Sequence, residues 1–352
     1  MSSIISSSLA LPALTSSTFA DYIVDSSFKL DVHSHVVPDI YKAALIAGGY
    51  PVENGTVFTD GFPVPTWDLT SHIAAIDTNG ISYSTISISA PGVSFLADDC
   101  CQAATLAREL NLAIYNYTQQ YPTRLGAMCI LSLLDVESSL LELEVYTPFP
   151  TPLSLHPQTP KLTKTVLPRR TLLRRRRNVH QRNGTYLDDS ALNPIFSALN
   201  NRSATVFVHP AEPTCSAVAL GHPGPMTEYP FESVRAMENM LLTGQHANYS
   251  SISIIFPHGG GAMPYIATRI TGMASLSILG SLSVATTLAQ FKNYIFDTAS
   301  STMVMQLIAM KEFFFFGGTS NIVTGTDFPY DPQTQAIAGL EAIQGNGNFT
   351  AA

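Results

Sequence analysis

Phe28-Lys29-Leu30-Asp31-Val32-His33-Ser34-His35 is a short β-leaning run that stops on two histidines one residue apart. Side chains of an extended backbone alternate in direction, so His33 and His35 point the same way and could share a divalent ion. By itself such a pair is an ordinary polar strand end. The same punctuation recurs along the chain. Thr205-Val206-Phe207-Val208 runs into His209, Ile254-Ile255-Phe256-Pro257 runs into His258-Gly259-Gly260-Gly261, and Ile322-Val323-Thr324-Gly325-Thr326 runs into Asp327. Four of nine histidines and one aspartate thus follow apolar β-type runs.

Further runs of the same kind span Tyr83 to Ser89, Leu125 to Leu131 and Tyr294 to Phe296. Helix-like stretches separate them. One, from about Asp98 to Gln119, carries Ala103, Leu106, Leu110, Leu112 and Ile114 at near-helical spacing, and another covers Asp135 to Glu144. A Pro/Gly-rich loop is expected from about Pro38 to Pro65. Strand-then-helix alternation at this length predicts a parallel α/β fold, and its spacing fits a TIM-like (β/α)8 barrel over residues 28–346. In such barrels the active site lies at the carboxyl ends of the strands, where these histidines fall.

One interval breaks the pattern. Val145 to Arg182 is proline-rich, holds no acidic residue, and packs Lys161, Lys164, Arg169, Arg170, Arg174 to Arg177 and Arg182 into 22 positions. Without those nine the chain has 9 basic against 26 acidic residues, a net −17. A basic arm and a disordered loop are two readings. Translation in a wrong frame or through an unspliced intron is the preferred one, because the fourth strand and helix belong near 146–182 and no good pattern for them is present.

Composition narrows the function classes. The 352 residues are 45% hydrophobic, enough for a large core, and the formal net charge of −8 argues against nucleic acid as a partner. No apolar run reaches the roughly 18 residues that cross a bilayer, so no membrane partner is expected. Four cysteines are too few for a disulfide framework. Residues 1–27 read as a flexible tail or weak signal-like segment. Lacking Lys or Arg before Lys29, they favour a cytoplasmic location, and six Asn-x-Ser/Thr sites keep secretion open.

Three imidazoles and a carboxylate around an open position describe a catalytic divalent site, for which Zn²⁺ suits the donors best and Mn²⁺ next. The first-strand His33-Ser34-His35, the block His258-Gly259-Gly260-Gly261-Ala262-Met263-Pro264 with Arg269, and Gly325-Thr326-Asp327-Phe328-Pro329 resemble the amidohydrolase superfamily. Within it they are similar to the decarboxylating branch of aminocarboxymuconate-semialdehyde decarboxylase. Ile76-Asp77-Thr78-Asn79-Gly80-Ile81 and Ser87-Ile88-Ser89-Ala90-Pro91-Gly92-Val93 look most like the fungal 6-methylsalicylate decarboxylases.

The resemblance implies that His33, His35, His209 and Asp327 bind the metal, that His258 is the acid/base group beside it, and that Arg269 meets the substrate carboxylate. It implies non-oxidative decarboxylation of an ortho-hydroxy aromatic acid, 6-methylsalicylate to m-cresol and CO2, with one divalent ion, no organic cofactor, and a homodimer. The proton donor is left open between His258 and Asp327. Binuclear members use a lysine on the fourth strand, and Lys161 and Lys164 lie in no strand context, so a mononuclear site is preferred. Trp67, Phe95 and Phe328 are candidates for apolar walls around the ring, with core packing as their alternative. The rival readings are a metal-dependent hydrolase of an ester, lactone or amide, and an inactive product of a faulty gene model or a basic-arm binding protein.

Overall fold

The structure is a computed structural model. It describes residues 28–96, 99–133, 135–146, 186–213, 220–314, 321–332, 338–339 and 341, and the backbone of 164–168. The expectations for residues 1–27 and for the arginines from Arg169 to Arg182 lie outside the described residues.

Eight parallel strands form one sheet in sequence order: β1 (Leu30–Val36), β2 (Tyr83–Ile88), β3 (Leu125–Ile130), β4 (Lys164–Pro168), β5 (Thr205–His209), β6 (Ser253–Phe256), β7 (Tyr294–Asp297) and β8 (Ile322–Val323). Beyond β8 the chain returns to β1. The amide of Val32 donates to the Thr324 carbonyl (2.9 Å), that of His35 donates to the Phe328 carbonyl (2.7 Å), and parallel bridges join Asp31 to Thr324 and Ser34 to Phe328. First and last strands are therefore neighbours, which brings Asp327 beside His33 and His35.

Helices connect the strands: α1 (Asp39–Ala47) and α2 (Leu69–Thr78) before β2, α3 (Cys100–Gln120) before β3, α4 (Val136–Tyr146) after β3, α5 (Asn193–Asn201) before β5, α6 (Gly224–Leu242) and α7 (Gln245–Asn248) before β6, α8 (Met263–Ala274) and α9 (Val284–Phe291) before β7, and α10 (Val304–Phe314) before β8. Local chemistry starts several of them. Asp68 accepts from the Ser71 amide in a reciprocal capping box, and Asp99 accepts from the Gln102 amide. On α3 four of the expected stripe, Ala103, Leu106, Leu110 and Ile114, are buried and pack with Ile86, Leu125 and Ile130 of the sheet, whereas Leu112, two residues from Leu110, falls off that face and is exposed. A second core, with Phe196, Val206, Met237, Phe256 and Phe296, lies on the β5–β7 side. A smaller cluster takes Val32, Met128, Phe207, Ile255 and Ile295 from five different strands.

Two expectations are corrected. The stretch from Pro38 to Pro65 is not a plain loop: it holds α1 and a three-stranded antiparallel sheet, Val52–Glu53, Thr56–Thr59 and Phe62–Pro63. Its turns fall at Asn54-Gly55 and Asp60-Gly61, where all four residues have positive φ, the conformation that two-residue hairpin turns demand. The basic interval does supply a fourth strand. Lys164–Pro168 pairs in parallel with β3 on one side and β5 on the other. Pairing on both sides satisfies its backbone groups, a tertiary effect that propensity does not report.

The triglycine after His258 is explained by close approach. Gly260 and Gly261 have φ of 72° and 63°. A Cβ on Gly260 would strike the Phe296 ring, and one on Gly261 would strike the backbone of Pro230 in α6. Replacing Gly261 by Ala is expected to lower stability by about 1–3 kcal/mol, read as a lower urea midpoint; an unchanged midpoint would contradict the packing described.

Candidate active site

His33 and His35 emerge from β1 on one side, as alternation predicts, with their Nε2 atoms 2.9 Å apart. His209 at the end of β5 and His258 after β6 complete a ring of imidazoles, with His209 centroids 5.0–5.5 Å from the other three. Asp327 closes the group. Its Oδ1 lies 3.3 Å from Nε2 of both His33 and His35, and its Oδ2 lies 3.5 Å from Nε2 of His258. Two sets of donor atoms come within 4.8 Å of one another: His33 with His35 and Asp327, and His33 with His209 and His258. His258 and Asp327 both hold left-handed backbones, φ 56° and 54°. Such conformations cost a non-glycine residue about 1–2 kcal/mol, and observed strain of this kind gathers at functional sites.

The outer nitrogens decide what the inner ones can do. Nδ1 of His33 donates to Asp297 Oδ2 (2.9 Å), and Nδ1 of His209 donates to the Pro210 carbonyl (2.7 Å). Nδ1 of His35 lies 3.2 Å from Ser87 Oγ, whose own proton goes to the Ser34 carbonyl, so the ring donates there too. Each of the three therefore presents Nε2 to the cluster, which is how histidines are prepared as metal ligands. His258 differs. Its Nδ1 is buried and has no hydrogen-bond partner among the described residues.

Burial lowers the basicity of His35, and it holds His209 well below the ordinary histidine value with help from the neighbouring imidazoles. Burial acts the same way on His33, but the charges of Asp297 and Asp327 outweigh it and push that residue up to about 10. Burial would raise Asp327. The charge of His33 and hydrogen bonds from the three facing imidazoles overcome it and keep the carboxylate well below its usual range. Two neutral imidazoles, one ionised carboxylate and a third imidazole holding a displaceable proton form a donor set that suits a divalent cation.

Two buried carboxylates supporting these residues were not singled out in the sequence. Asp297 ends β7, one residue beyond the run expected there, and its signal was the same strand-end position that marked the histidines. Asp31 accepts from the His33 amide, from Ser84 Oγ, and from both the amide and the hydroxyl of Thr326, tying β1 to β2 and to the loop that carries Asp327. Burial raises its pKa to about 6 despite these bonds. His72 was also missed. Its Nδ1 accepts from Trp67 Nε1 (3.0 Å), its Nε2 meets Ser34 Oγ (2.9 Å), and burial lowers its pKa to about 4.

A cavity of about 510 Å³ opens over the cluster, with His35, His209, His258 and Asp327 in its lining. Its apolar walls come from Phe62 of the small antiparallel sheet, Met226, Tyr229 and Pro230 of α6, and Tyr330. The small sheet is held in place by Asp60, which accepts from the Tyr229 hydroxyl (2.6 Å) and the Glu212 amide (3.1 Å). Trp67, Phe95 and Phe328 do not line the cavity. Trp67 and Phe95 pack against the core around α1, α2 and α3, and Phe328 packs on the ring of His72. Nor does the structure bring Arg269 to the cavity: it lies on the exposed face of α8, because Ala267 and Ile270 take the buried face. No Lys or Arg lines the cavity among the described residues. Lys164 stands in a strand after all, but at its amino end, in register with Thr205, whereas Pro168, which has no donor atom to offer, is level with His209.

No family model matches the chain. Decarboxylase yanB of Aspergillus niger is 31% identical over 316 residues, covering 86% of this chain and 78% of that protein. The 6-methylsalicylic acid decarboxylase of Penicillium expansum is 29% identical and covers 86% of each chain. Among solved structures, the 5-carboxyvanillate decarboxylase of Novosphingobium aromaticivorans, complexed with manganese and 4-hydroxy-3-methoxy-5-nitrobenzoic acid, superposes with a TM-score of 0.68 at 19% identity, over 91% of this chain and 90% of that one. The chain belongs to the amidohydrolase-fold decarboxylases, in the branch that contains the fungal 6-methylsalicylate decarboxylases and aminocarboxymuconate-semialdehyde decarboxylase. It is a carboxy-lyase, and its relatives and structural neighbours include decarboxylases of hydroxylated aromatic acids, 6-methylsalicylic acid and 2,6-dihydroxybenzoate among them.

Because the charges of Asp297 and Asp327 push His33 up to about 10, a metal ion taking its Nε2 would have to displace a proton. Affinity for Zn²⁺ should therefore rise about tenfold per pH unit from neutrality and level off as the pH passes His33's own value. Calorimetry in two buffers of different ionisation heat should show about one proton released at pH 7; none released would contradict this assignment.

Proposed function

We propose that the protein is a (β/α)8-barrel enzyme that decarboxylates an ortho-hydroxy aromatic acid without redox chemistry, with 6-methylsalicylate, giving m-cresol and CO2, as the substrate that fits best. The observation that carries this reading is the set of three imidazoles with Nδ1 engaged and Nε2 turned, with Asp327, toward one cluster beneath a cavity with apolar walls. Closure of the eight parallel strands through the Thr324–Phe328 segment supports the barrel. His33, His35, His209 and Asp327 would hold one divalent ion. Nitrogen and oxygen donors favour Zn²⁺, and Mn²⁺ is the alternative that the neighbouring structure supports.

The ion, when bound, supplies Lewis-acid polarisation of the substrate's oxygens and a template for their orientation. The rest falls to the chain. A single-ring acid fits within the 510 Å³ cavity with room to spare, and Phe62, Met226 and Tyr229 line its apolar edge. No cationic side chain among the described residues lines that space, so none of them pairs with the substrate carboxylate.

A proton must reach the ring carbon that bears the carboxylate. The C–C bond then breaks, its electrons restore aromaticity, and CO2 leaves with no net change in oxidation state. Asp327 is kept ionised by its imidazole neighbours, whereas His258 faces the cavity with Nε2 toward Asp327 and with Nδ1 uncommitted. His258 is therefore assigned the proton and Asp327 the role of orienting it.

Metal-loaded protein incubated with 6-methylsalicylate should yield m-cresol and CO2 by chromatography. A folded, metal-replete sample that leaves the acid untouched but cleaves an ester or lactone would shift the assignment to a hydrolase. Replacing His258 by Ala should lower kcat by about 10²–10⁴-fold while the bound metal stays. Loss of the metal on that change would make His258 a ligand.

A further inference from the structure

Asp297 is wholly buried, and both of its oxygens are in use on opposite errands. Oδ2 accepts from Nδ1 of His33 at 2.9 Å. Oδ1 accepts from the backbone amides of His258 and Ala299, each at 3.0 Å. Its neighbour Thr298 accepts through Oγ1 from the amide of Gly325, two residues before Asp327. The end of β7 thereby touches the ends of β1, β6 and β8, which carry the ligand cluster and the proton-handling histidine.

We infer that Asp297 is a positioning residue that couples two functions through one carboxylate, fixing the protonated nitrogen of His33 on the side away from the metal and holding His258 at the cavity. The inference rests on the ligand and proton assignments proposed above. The chemistry of the first errand is restrictive. A carboxylate is an acceptor only, so the nitrogen facing it carries the hydrogen, and Nε2 keeps its lone pair for the ion. The second errand is restrictive too. His258 sits in a left-handed conformation, φ 56°, on a turn of three glycines that by themselves impose no single path. A charged acceptor on its amide holds that turn, and with it the side chain whose Nε2 lies 3.5 Å from Asp327.

Three donors meet two carboxylate oxygens, so a neutral isostere cannot serve them all. In an Asp297→Asn protein the single amide oxygen faces either His33 or the two backbone amides, and the amide NH2 confronts the other side donor to donor. One orientation turns the proton of His33 onto Nε2, against the metal. The other releases His258.

The test separates these effects from turnover and from each other. In zinc-loaded, deuterated protein with ¹⁵N-labelled histidine, His33 is expected to show a protonated Nδ1 with a far-downfield proton, and the His258 amide nitrogen a trans-hydrogen-bond coupling to the Asp297 carboxyl carbon. An unprotonated Nδ1, or a His258 amide in free exchange with solvent, overturns the inference on the unmodified chain. For Asp297→Asn, competition with a chromophoric chelator should give a 10–100-fold weaker zinc affinity where the amide NH2 faces His33, or kcat at saturating zinc at least tenfold down with KM little changed where it faces the His258 amide; for Asp297→Ala, which offers neither side an acceptor, both losses are expected together. A parent-like zinc affinity and kcat in Asp297→Asn, or the absence of either loss in Asp297→Ala, would remove one of the two roles and with it the coupling. If instead both NMR signatures hold and no aromatic acid is turned over by the parent chain, the decarboxylase assignment fails while the positioning role of Asp297 stands.

Discussion

Four imidazoles and three carboxylates within one buried region would repel or desolvate one another out of existence unless each had a fixed partner. The fold meets that constraint by giving the outward nitrogen of each of three histidines a different acceptor: a carboxylate for His33, a hydroxyl for His35 and a backbone carbonyl for His209. All three inner nitrogens are thereby left unprotonated or holding one displaceable proton. The arrangement depends on the joint between β1 and the segment after β8, since only that joint sets Asp327 against His33 and His35.

Asp31 and Asp297 serve that joint from two sides. Asp31 links β1 to the amide and hydroxyl of Thr326, directly before Asp327, and Asp297 links β1 to the turn of His258. Both are fully buried and hydrogen-bonded through both oxygens, so they resist displacement by water. The cavity above is of a different character. Its walls come from α6, from the small antiparallel sheet and from the residues after Asp327, elements outside the eight-stranded sheet. The buried cluster thus rests on the sheet, and the shape of the cavity is left to peripheral segments.

Much of this was legible along the chain. His33, His35, His209, His258 and Asp327 could each be picked out because an apolar β-type run is easy to see and its last residue falls at one end of a parallel sheet. Asp297 shares that position, yet its run is four residues long and the carboxylate reads as the polar stop of a strand. Arg269 and the rings of Trp67, Phe95 and Phe328 lie outside this chain's cavity lining for a common reason. Spacing shows that a residue is near a motif, but the face on which it lies depends on which neighbours the helix or loop buries. Lys164–Pro168 was passed over because its surroundings are basic and proline-rich, and only two flanking strands make it a strand.

The sequence by itself determined the class of fold and the residues that gather in the buried cluster, because hydrophobic period and strand-end position are local properties of the chain. Tertiary structure alone decided which nitrogen of each histidine faces the cluster, which carboxylates stand behind them, and which side chains line the cavity. Those features arise between residues as far apart as His33 and Asp297, 264 positions along the chain, and no local pattern encodes a hydrogen bond across that distance.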